Sequence, residues 1–254
     1  MNMNQDEILN YWNREDVVSM YDKNLLNLET KLIKSYLRAN SKILDAGCGE
    51  GESTMIYSGL PNTIIHAVDF SETRLCKAKQ NLKGIKNVYL RKLDFLKSYE
   101  IDHDYDFIIS QRFLINILDW KLQKKIIKDL IDHLKPTGKL ILLEGSKNGV
   151  DELNNLRHIF KLPIIPVKWH NLFLDDHTFE AYVNSLNCKI LNKNGLGEYF
   201  MLTRGIRPFF EKVTNWDADF NKFASDLNLK KIINCNDKFS RLKLWVIKKN
   251  KLSK

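Results

Sequence analysis

The sequence predicts an α/β protein built on a mostly parallel sheet, and two observations lead to this prediction. Short apolar runs typical of buried strands lie near residues 42–45, 63–68, 87–92, 105–110 and 138–144. Stretches with the apolar spacing of helices separate these runs, and this alternation is typical of parallel sheets covered by helices. The second observation is a glycine-rich turn directly after the first predicted strand.

This turn contains Gly47, Gly49 and Gly51 at alternate positions, and Glu52 begins a predicted helix. Glycine tolerates positive φ and lets a ligand approach the backbone closely. A dinucleotide fingerprint requires Gly-x-Gly-x-x-Gly, but here the third glycine comes one residue early, between Glu50 and Glu52. Acidic side chains favour a cationic ligand over a pyrophosphate.

An acidic residue, Asp69, ends the second predicted strand, eighteen residues after Gly51. A carboxylate at this distance, at the end of the next parallel strand, can accept both hydroxyls of a ribose. The alternative is that Asp69 caps the predicted helix at residues 72–82, a role for which Ser71 competes. The third strand is followed in turn by Asp94 and Phe95.

The turn, Asp69 and Asp94, taken in this order, resemble the class I S-adenosylmethionine-dependent methyltransferases. The resemblance implies a Rossmann-like fold with a mostly parallel seven-stranded sheet, flanking helices, an N-terminal helical lid and a cap insertion. It implies S-adenosylmethionine as cofactor, with Asp94 on the adenine amino group and Phe95 beside the ring. The expected cofactor-binding residues are Tyr11, Tyr21, Asp45, Gly47, Cys48, Gly49, Gly51, Asp69, Phe70, Asp94, Phe95 and Gln111.

We expect one methyltransferase domain over residues 1–254. Its parts are a helical lid at 1–40, a cofactor-binding core at 41–146, and cap insertions with a closing hairpin at 147–254. Tyr11 and Tyr21 belong to the lid, where packing is the alternative to ligand contact, because aromatic side chains dominate protein cores.

The more detailed expectations are helical structure over residues 6–39, an amphipathic helix at Lys121–Leu134, and two late strands near 188–203 and 239–248. The resemblance implies that one of the late strands is antiparallel to the rest of the sheet. Residues 204–238 would then form an insertion.

Composition gives no sign of a membrane protein, a secreted protein or a metalloprotein. The hydrophobic fraction of 44% and the charged fraction of 28% are ordinary for a globular protein. No apolar run approaches the ~20 residues that span a bilayer, and the first residues lack signal-peptide features. The four cysteines and six histidines lack metal-ligand spacing, so we expect no metal, reduced thiols and a cytoplasmic location.

The net charge of +9 is compatible with nucleic acid, with an anionic small substrate or with a lysine-rich surface. The segment after the fourth strand lacks the Asn/Asp-Pro-Pro-aromatic motif of enzymes that methylate base amino groups. The Pro-Cys dipeptide of the cytosine C5 enzymes is also absent. We therefore expect a small, anionic acceptor, with no nucleic-acid partner and no membrane insertion, and leave the oligomeric state open. The alternatives are an RNA methyltransferase, a non-catalytic protein that binds S-adenosylmethionine or RNA, and an aminopropyl transferase.

Over almost its entire length the chain resembles bacterial small-molecule methyltransferases linked to surface-polysaccharide (capsule) biosynthesis. The matching segments are 112–116, 144–145, 153–157, 169–171 and 199–204. This resemblance implies a phosphate- or nucleotide-linked acceptor, and a methylated phosphoramidate-type capsule modification is one specific candidate.

Three residues are the expected catalytic groups: His170, Glu144 and Arg112. If the acceptor is a hydroxyl, His170 is the first candidate base and Glu144 the second. If the acceptor is an anionic oxygen, Arg112, Arg157 and Arg204 would hold its charge. The expected substrate-binding residues are Arg112, Asn116, Arg157, Trp169, His170, Asn171, Tyr199 and Arg204.

Several of these residues have an alternative role. Arg112 would otherwise pair with a surface acid, and Glu144 would orient Arg157 instead of a substrate donor. For His170, core packing is the alternative to a place at a pocket rim. For Tyr199, packing is the expected role.

Overall fold

The computed structural model describes residues 5–211, 215–235 and 237–250. The described residues form a seven-stranded sheet. Its strands are β1 Lys42–Ala46, β2 Ile64–Asp69, β3 Val88–Lys92, β4 Tyr105–Gln111, β5 Leu134–Gly145, β6 Cys188–Gly195 and β7 Leu242–Lys249.

Helices cover the sheet and extend beyond it. Those of the described residues are α1 Gln5–Asn13, α2 Lys23–Lys34, α3 Glu52–Ser58, α4 Glu72–Asn81, α5 Trp120–Asp132, α6 Lys147–Ile159, α7 Asp176–Ser185, α8 Gly197–Phe200, α9 Arg207–Phe210 and α10 Asp219–Lys230. A 3-10 turn spans Leu114–Asn116, and a π-helical turn over Met201–Ile206 joins α8 to α9. No helix in these ranges is long and apolar enough to cross a membrane.

The sheet has the order β3-β2-β1-β4-β5-β7-β6, and β7 runs antiparallel to both of its neighbours. The remaining pairs, from β3 to β5, are parallel. This confirms the expected Rossmann-like, mostly parallel architecture. Because β1, β2 and β4 are parallel neighbours, their carboxyl ends meet at one edge of the sheet, where ligands bind in open α/β folds.

The core lies on both faces of the central strands, as expected for a parallel sheet covered on both sides. Alternate residues of β1 point to opposite faces. Leu44 packs in one apolar cluster with Ile108, and Ile43 packs in the other with Ile109. Trp245 of β7 is fully buried and extends the first cluster to the antiparallel end of the sheet.

Two predicted boundaries differ from the structure because of local side-chain contacts. The expected helical stretch at 6–39 is interrupted at residues 14–22, and α2 begins after Asp22, whose carboxylate accepts a hydrogen bond from the Leu25 amide at 3.1 Å. The helix expected at 121–134 begins at Trp120, because Asp119 caps it.

The expected strand at 188–203 is correct only as far as Gly195. The chain then becomes helical from Gly197 to Phe210. The apolar residues of this stretch do not continue the sheet, since Tyr199 and Phe200 pack with Leu25 and Leu28 of α2 in a third apolar cluster.

A glycine allows α6 to pack against the backbone at the start of β7. A Cβ atom added at Gly149 would lie 1.9 Å from the Ser240 carbonyl oxygen and 3.2 Å from the Arg241 amide nitrogen. Side-chain rearrangement cannot relieve an overlap with backbone atoms. Gly149 therefore fixes how closely α6 approaches the segment that carries Arg241.

We predict that Gly149→Ala lowers the free energy of unfolding by about 1–3 kcal/mol, the usual range for overpacking. Urea denaturation monitored by circular dichroism measures this loss. Gly59→Ala is the matched control, because the Cβ atom there would meet only the Ile56 carbonyl oxygen at 3.6 Å. Equal stabilities of the two variants would contradict the packing assigned to α6.

Candidate active site

The glycine-rich turn after β1 adopts the conformation that its sequence predicts. Gly47, Gly49 and Gly51 all have positive φ, at 75°, 55° and 75°. A Cβ atom at Gly47 would lie 2.6–2.9 Å from the Phe113 side chain, whereas a Cβ atom at Gly49 would meet no atom within 4 Å. Gly47 thus allows a close contact with the segment after β4, and Gly49 leaves space above the turn.

Gly51 has a different role from the other two glycines. It is the N-cap residue of α3, and a Cβ atom there would lie 2.9 Å from Leu82 and 3.3 Å from Ala78. It does not line the cavity beside the turn. This glycine packs the turn against the C-terminal part of α4, and its contact with a cofactor stays a prediction.

Asp69 connects the turn to the end of β2. Its carboxylate accepts hydrogen bonds from the Gly49 amide and the Ser71 amide, both at 2.9 Å. The cap of α4 is Ser71, whose hydroxyl accepts from the Arg74 amide at 3.2 Å. Asp69 is thus not the helix cap. It is buried, which raises the pKa of its carboxyl group.

Asp45, at the end of β1, is a second buried acid in the same place. Its carboxylate accepts a hydrogen bond from the Thr54 hydroxyl at 2.6 Å. Burial, with a smaller contribution from the negative charge of Asp69, raises the pKa of Asp45 to about 6.

The two glutamates beside the turn have partners within the protein. Glu50 forms ion pairs with Arg74 and with Lys77, and Glu52 pairs with Lys23 at 2.7 Å. Both glutamates also line the turn cavity, and their effect on a cationic ligand stays a prediction. Their charges are balanced by basic residues of the lid and of α4.

Three neighbouring cavities lie at this edge of the sheet. The first, the turn cavity, encloses about 800 Å³ including its opening to solvent. Its lining contains Trp12, Ser19, Leu26, Asp45, Gly47, Cys48, Gly49, Glu50, Glu52, Ser53, Asp69, Phe70, Arg74, Gln111, Arg112, Phe113 and Asn116.

The second, the Asp94 cavity, is more apolar and encloses about 600 Å³ including its opening. Its lining contains Asp6, Leu9, Gly47, Asp69, Phe70, Leu93, Asp94, Phe95, Leu96, Lys97, Phe113, Asn116 and Ile117. It shares Gly47, Asp69, Phe70, Phe113 and Asn116 with the turn cavity. The two cavities therefore adjoin, with Asp69 in the lining of both, and together they form the cleft.

The third, the arginine cavity, encloses about 1030 Å³ including its opening. Its lining contains Tyr11, Trp12, Val18, Ser19, Met20, Tyr21, Asp22, Leu25, Arg112, Ile115, Asn116, Lys168, His170, Asn171, Phe173, Phe200, Arg204, Trp216, Arg241 and Leu242. Arg112 and Asn116, together with Trp12 and Ser19, line both this cavity and the turn cavity. They form a wall that the two cavities share, along which the cavities adjoin.

Arg112 is held in this wall by a buried acid. It has a positive φ of 54°, which is uncommon for a residue other than glycine and often marks a functional position. Its Nε atom lies 3.1 Å from Glu29 Oε2, which also accepts a hydrogen bond from the Gln111 side-chain amide at 2.7 Å. Glu29 is fully buried, so the partner of Arg112 is not a surface acid.

Arg204 lies deeper in the arginine cavity, on the π-helical turn. Its Nη2 atom pairs with Asp22 Oδ2 at 2.5 Å, and its guanidinium lies 4.2 Å from the ring centroid of Trp216. Tyr199 donates from its hydroxyl to the same carboxylate at 2.8 Å and does not line the cavity. The assignment of Tyr199 to substrate binding is therefore corrected to packing and positioning of Asp22.

Arg241 belongs to the same cavity but was not among the residues selected from the sequence. Burial, together with the positive charges of Arg204 and Arg112, lowers the pKa of Arg241 to about 10. The residue precedes a strand with alternating apolar positions, and this pattern says nothing about distant neighbours. Nothing in the sequence around Arg241 indicates that this residue lies beside Arg204.

His170 stacks on the lid. Its ring lies 4.5 Å from the Tyr11 ring at an interplanar angle of 26°, and it contacts Trp12 and Trp169 edge to face. The Nδ1 atom is buried without a hydrogen-bond partner. Burial lowers the pKa of His170 to about 4, so the ring is neutral at pH 7.

Tyr11 and Tyr21 line the arginine cavity. They do not line the cleft that the turn cavity and the Asp94 cavity form. The lid therefore presents both tyrosines to the arginine cavity, and their contact with a cofactor stays a prediction. The remaining expected cofactor residues apart from Gly51 line the cleft, including Cys48, Phe70, Gln111 and Phe95.

Glu144 is hydrogen-bonded within the protein, and a catalytic role for it stays a prediction. It is fully buried at the end of β5 and does not contact Arg157. Its carboxylate accepts a hydrogen bond from the Ser110 hydroxyl at 2.6 Å and from three consecutive amides, residues 113–115, at 3.1–3.2 Å. Burial raises the pKa of Glu144 to about 7.

Besides Tyr199, two expected substrate residues lie outside the cavity lining. Arg157 donates to the backbone carbonyls of Pro163 and Arg204, so its guanidinium is used within the protein. Trp169 is 45% exposed and packs edge to face on Tyr11. Asn171, by contrast, lines the arginine cavity. Throughout the described part of the chain, no group of three or more His, Cys, Asp or Glu side chains is arranged to hold a metal ion.

Comparison with known proteins identifies the family. A family model described as "Methyltransferase domain" matches residues 37–175, more than half of the chain. The demethylmenaquinone methyltransferase of Bacillus cytotoxicus is 30% identical over 115 residues, which are 44% of this chain and 47% of that protein. The chain spans about half the length of the first curated relatives it matches.

Two solved structures share the fold. A TehB-like SAM-dependent methyltransferase from Corynebacterium glutamicum has a TM-score of 0.55 at 16% identity, over 97% of this chain and all of that one. PKMT2 from Rickettsia typhi in complex with AdoHcy has a TM-score of 0.55 at 16% identity, over 92% of this chain and 53% of that one. The chain therefore belongs to the methyltransferase domain family.

Proposed function

We propose that this protein transfers a methyl group from S-adenosylmethionine to a small anionic acceptor that binds in the arginine cavity. The observation that carries the proposal is the shared wall. Arg112 and Asn116 line both the arginine cavity and the turn cavity. An acceptor in the arginine cavity would therefore lie next to a cofactor in the turn cavity. Proximity and orientation supply much of the catalysis in such a transfer.

The residues of the cleft fit the cofactor. The open space at Gly49 allows a ligand to approach the turn closely, and Asp69 lies where the turn cavity and the Asp94 cavity join. Asp69 would hold the ribose hydroxyls, Asp94 and Phe95 the adenine, and Asp45 the ammonium end. When bound, S-adenosylmethionine supplies an electrophilic methyl group on a positively charged sulfur.

The protein's own residues would orient the acceptor and exclude water. Trp12 of the lid helix α1 lines both the turn cavity and the arginine cavity and so covers their junction. For a hydroxyl acceptor, the unpartnered Nδ1 atom of neutral His170 would accept the proton. For an acceptor oxygen that is already anionic, no base is needed, and the guanidinium groups of the cavity would hold the charge.

The anionic class of acceptor is supported by the charges in the cavity. Arg112, Arg204 and Arg241 line it together with Lys168, and guanidinium groups bind carboxylate and phosphate in a bidentate manner. The resemblance to methyltransferases of surface-polysaccharide biosynthesis suggests a phosphate- or nucleotide-linked sugar as the acceptor. A phosphoramidate-type capsule group is one specific case of this proposal.

We predict that Asp69→Ala weakens binding of S-adenosylhomocysteine by about 1–3 kcal/mol, the range for losing a buried hydrogen-bond partner. Isothermal titration calorimetry measures this change, and circular dichroism verifies the fold. Asp102→Ala is the control, since Asp102 is an exposed acid outside the three cavities. Unchanged affinity in a folded Asp69→Ala protein would remove Asp69 from the cofactor site.

We also predict that affinity for S-adenosylhomocysteine falls about tenfold between pH 7 and pH 5. Asp45 has a pKa of about 6 in the free protein, so it is mostly ionised at pH 7 and mostly protonated at pH 5, and only the ionised form attracts the ligand's ammonium. Calorimetry at the two pH values tests this. Asp45→Asn should bind more weakly at pH 7 and show a flat profile; an equally steep profile in this variant would exclude Asp45 as the cause.

A further inference from the structure

Two arginines in the arginine cavity have donor groups that the protein leaves unused. Arg204 Nη1 is buried without a hydrogen-bond partner. The Arg241 side chain forms no hydrogen bond or ion pair with any residue in the described ranges, and its guanidinium lies 5.6 Å from the ring centroid of Phe173. By contrast, Arg207, which is buried, donates to Glu211, Asn221 and the Asn215 carbonyl.

Arg204 is held in place before any ligand binds. Asp22 fixes Nη2, and Trp216 lies against the face of the guanidinium. The rotational freedom that a free arginine would lose on binding is therefore already restricted, which favours tight binding. The remaining nitrogen, Nη1, is the one without a partner.

The surrounding charges do not balance these cations. Arg112, Arg204 and Arg241 face two buried acids, Asp22 and Glu29. Even with both acids ionised, one positive charge remains uncompensated, and burial favours the neutral form of Glu29. A buried charge without a partner is destabilising. Such an arrangement is typical of binding sites, where activity is retained at the expense of stability.

We propose that Arg204 and Arg241 form a subsite for a phosphate group of the acceptor, separate from the atom that receives the methyl group. This inference rests on the proposed function. Both arginines line the arginine cavity alone, whereas Arg112 and Asn116 form the wall shared with the cleft. The phosphate would thus hold one end of the acceptor, while another part of the molecule reaches the wall.

The number of unused donors favours phosphate over carboxylate. A carboxylate carries one negative charge and is satisfied by one guanidinium fork. A phosphate monoester carries close to two charges at neutral pH and three acceptor oxygens. The two guanidinium groups of Arg204 and Arg241 match the charge and the acceptor oxygens of a phosphate monoester.

The test measures thermal unfolding with inorganic phosphate, and with acetate at the same ionic strength. Wild-type protein and the variants Arg241→Met and Arg38→Met are compared. Arg38 is the control for the loss of one positive charge, because it is a largely exposed residue outside the three cavities. We expect phosphate at ten times its Kd to raise the Tm of the wild type and of Arg38→Met by about 2–4 °C, and acetate to have no effect.

Arg241→Met should have a higher Tm than the wild type without phosphate, because it removes a buried, uncompensated charge, and it should lose the response to phosphate. A lower Tm together with a retained phosphate response would show that Arg241 is structural and would overturn the proposal. An equal response to acetate would contradict the phosphate class. The variant Arg241→Lys keeps the positive charge but loses the paired N–H donors of the guanidinium. We expect the Kd of this variant for phosphate to be at least tenfold higher than that of the wild type.

Calorimetry with S-adenosylhomocysteine on the same variants separates this proposal from the proposed function. Arg241 does not line the cleft, so the variants should bind S-adenosylhomocysteine as the wild type does. Loss of the phosphate response with intact S-adenosylhomocysteine binding supports the subsite. Absence of phosphate binding in the wild type, with S-adenosylhomocysteine still bound, overturns the subsite alone, whereas failure to bind S-adenosylhomocysteine overturns the proposed function.

Discussion

One buried carboxylate determines where the cavities of this protein meet. Glu144, at the end of β5, accepts hydrogen bonds from the Ser110 hydroxyl and from the amides of residues 113–115. These contacts fix the chain directly after β4, where Arg112 and Asn116 form the wall that the turn cavity and the arginine cavity share. Removing the carboxylate would leave three buried amides without partners, which is energetically unfavourable.

The two sides of this wall differ in charge. The cleft contains the acids Asp45 and Asp69, whereas the other side contains Arg204 and Arg241. A cationic cofactor and an anionic acceptor would each be attracted to its own side. The lid helix α1 contacts both through Trp12 and Tyr11, so the same element covers the cofactor and the acceptor.

The glycine turn and Asp69 could be predicted from the sequence because they depend on residues close together in the chain. The positive φ angles of the glycine turn and the position of Asp69 follow from one strand, one turn and the start of one helix. The arginine cavity depends on contacts between distant segments: Asp22 and Arg204 are 182 residues apart, and Arg241 lies directly before β7. Strand alternation predicts which face of the sheet a residue occupies and not its neighbours, so it does not indicate Arg241. Arg157 was expected from the family resemblance, which does not show that its guanidinium is bonded within the protein.

A crystal structure of the protein with S-adenosylhomocysteine tests the central claim most directly, because the ligand's sulfur marks the position from which the methyl group leaves. We predict that the adenosine lies along the cleft past Asp69 and that the sulfur lies beside Arg112 and Asn116, open to the arginine cavity. An incoming acceptor atom could then approach within the ~3–3.5 Å that reaction requires. A sulfur that faces away from Arg112 and Asn116, with protein atoms between it and the arginine cavity, would contradict the account.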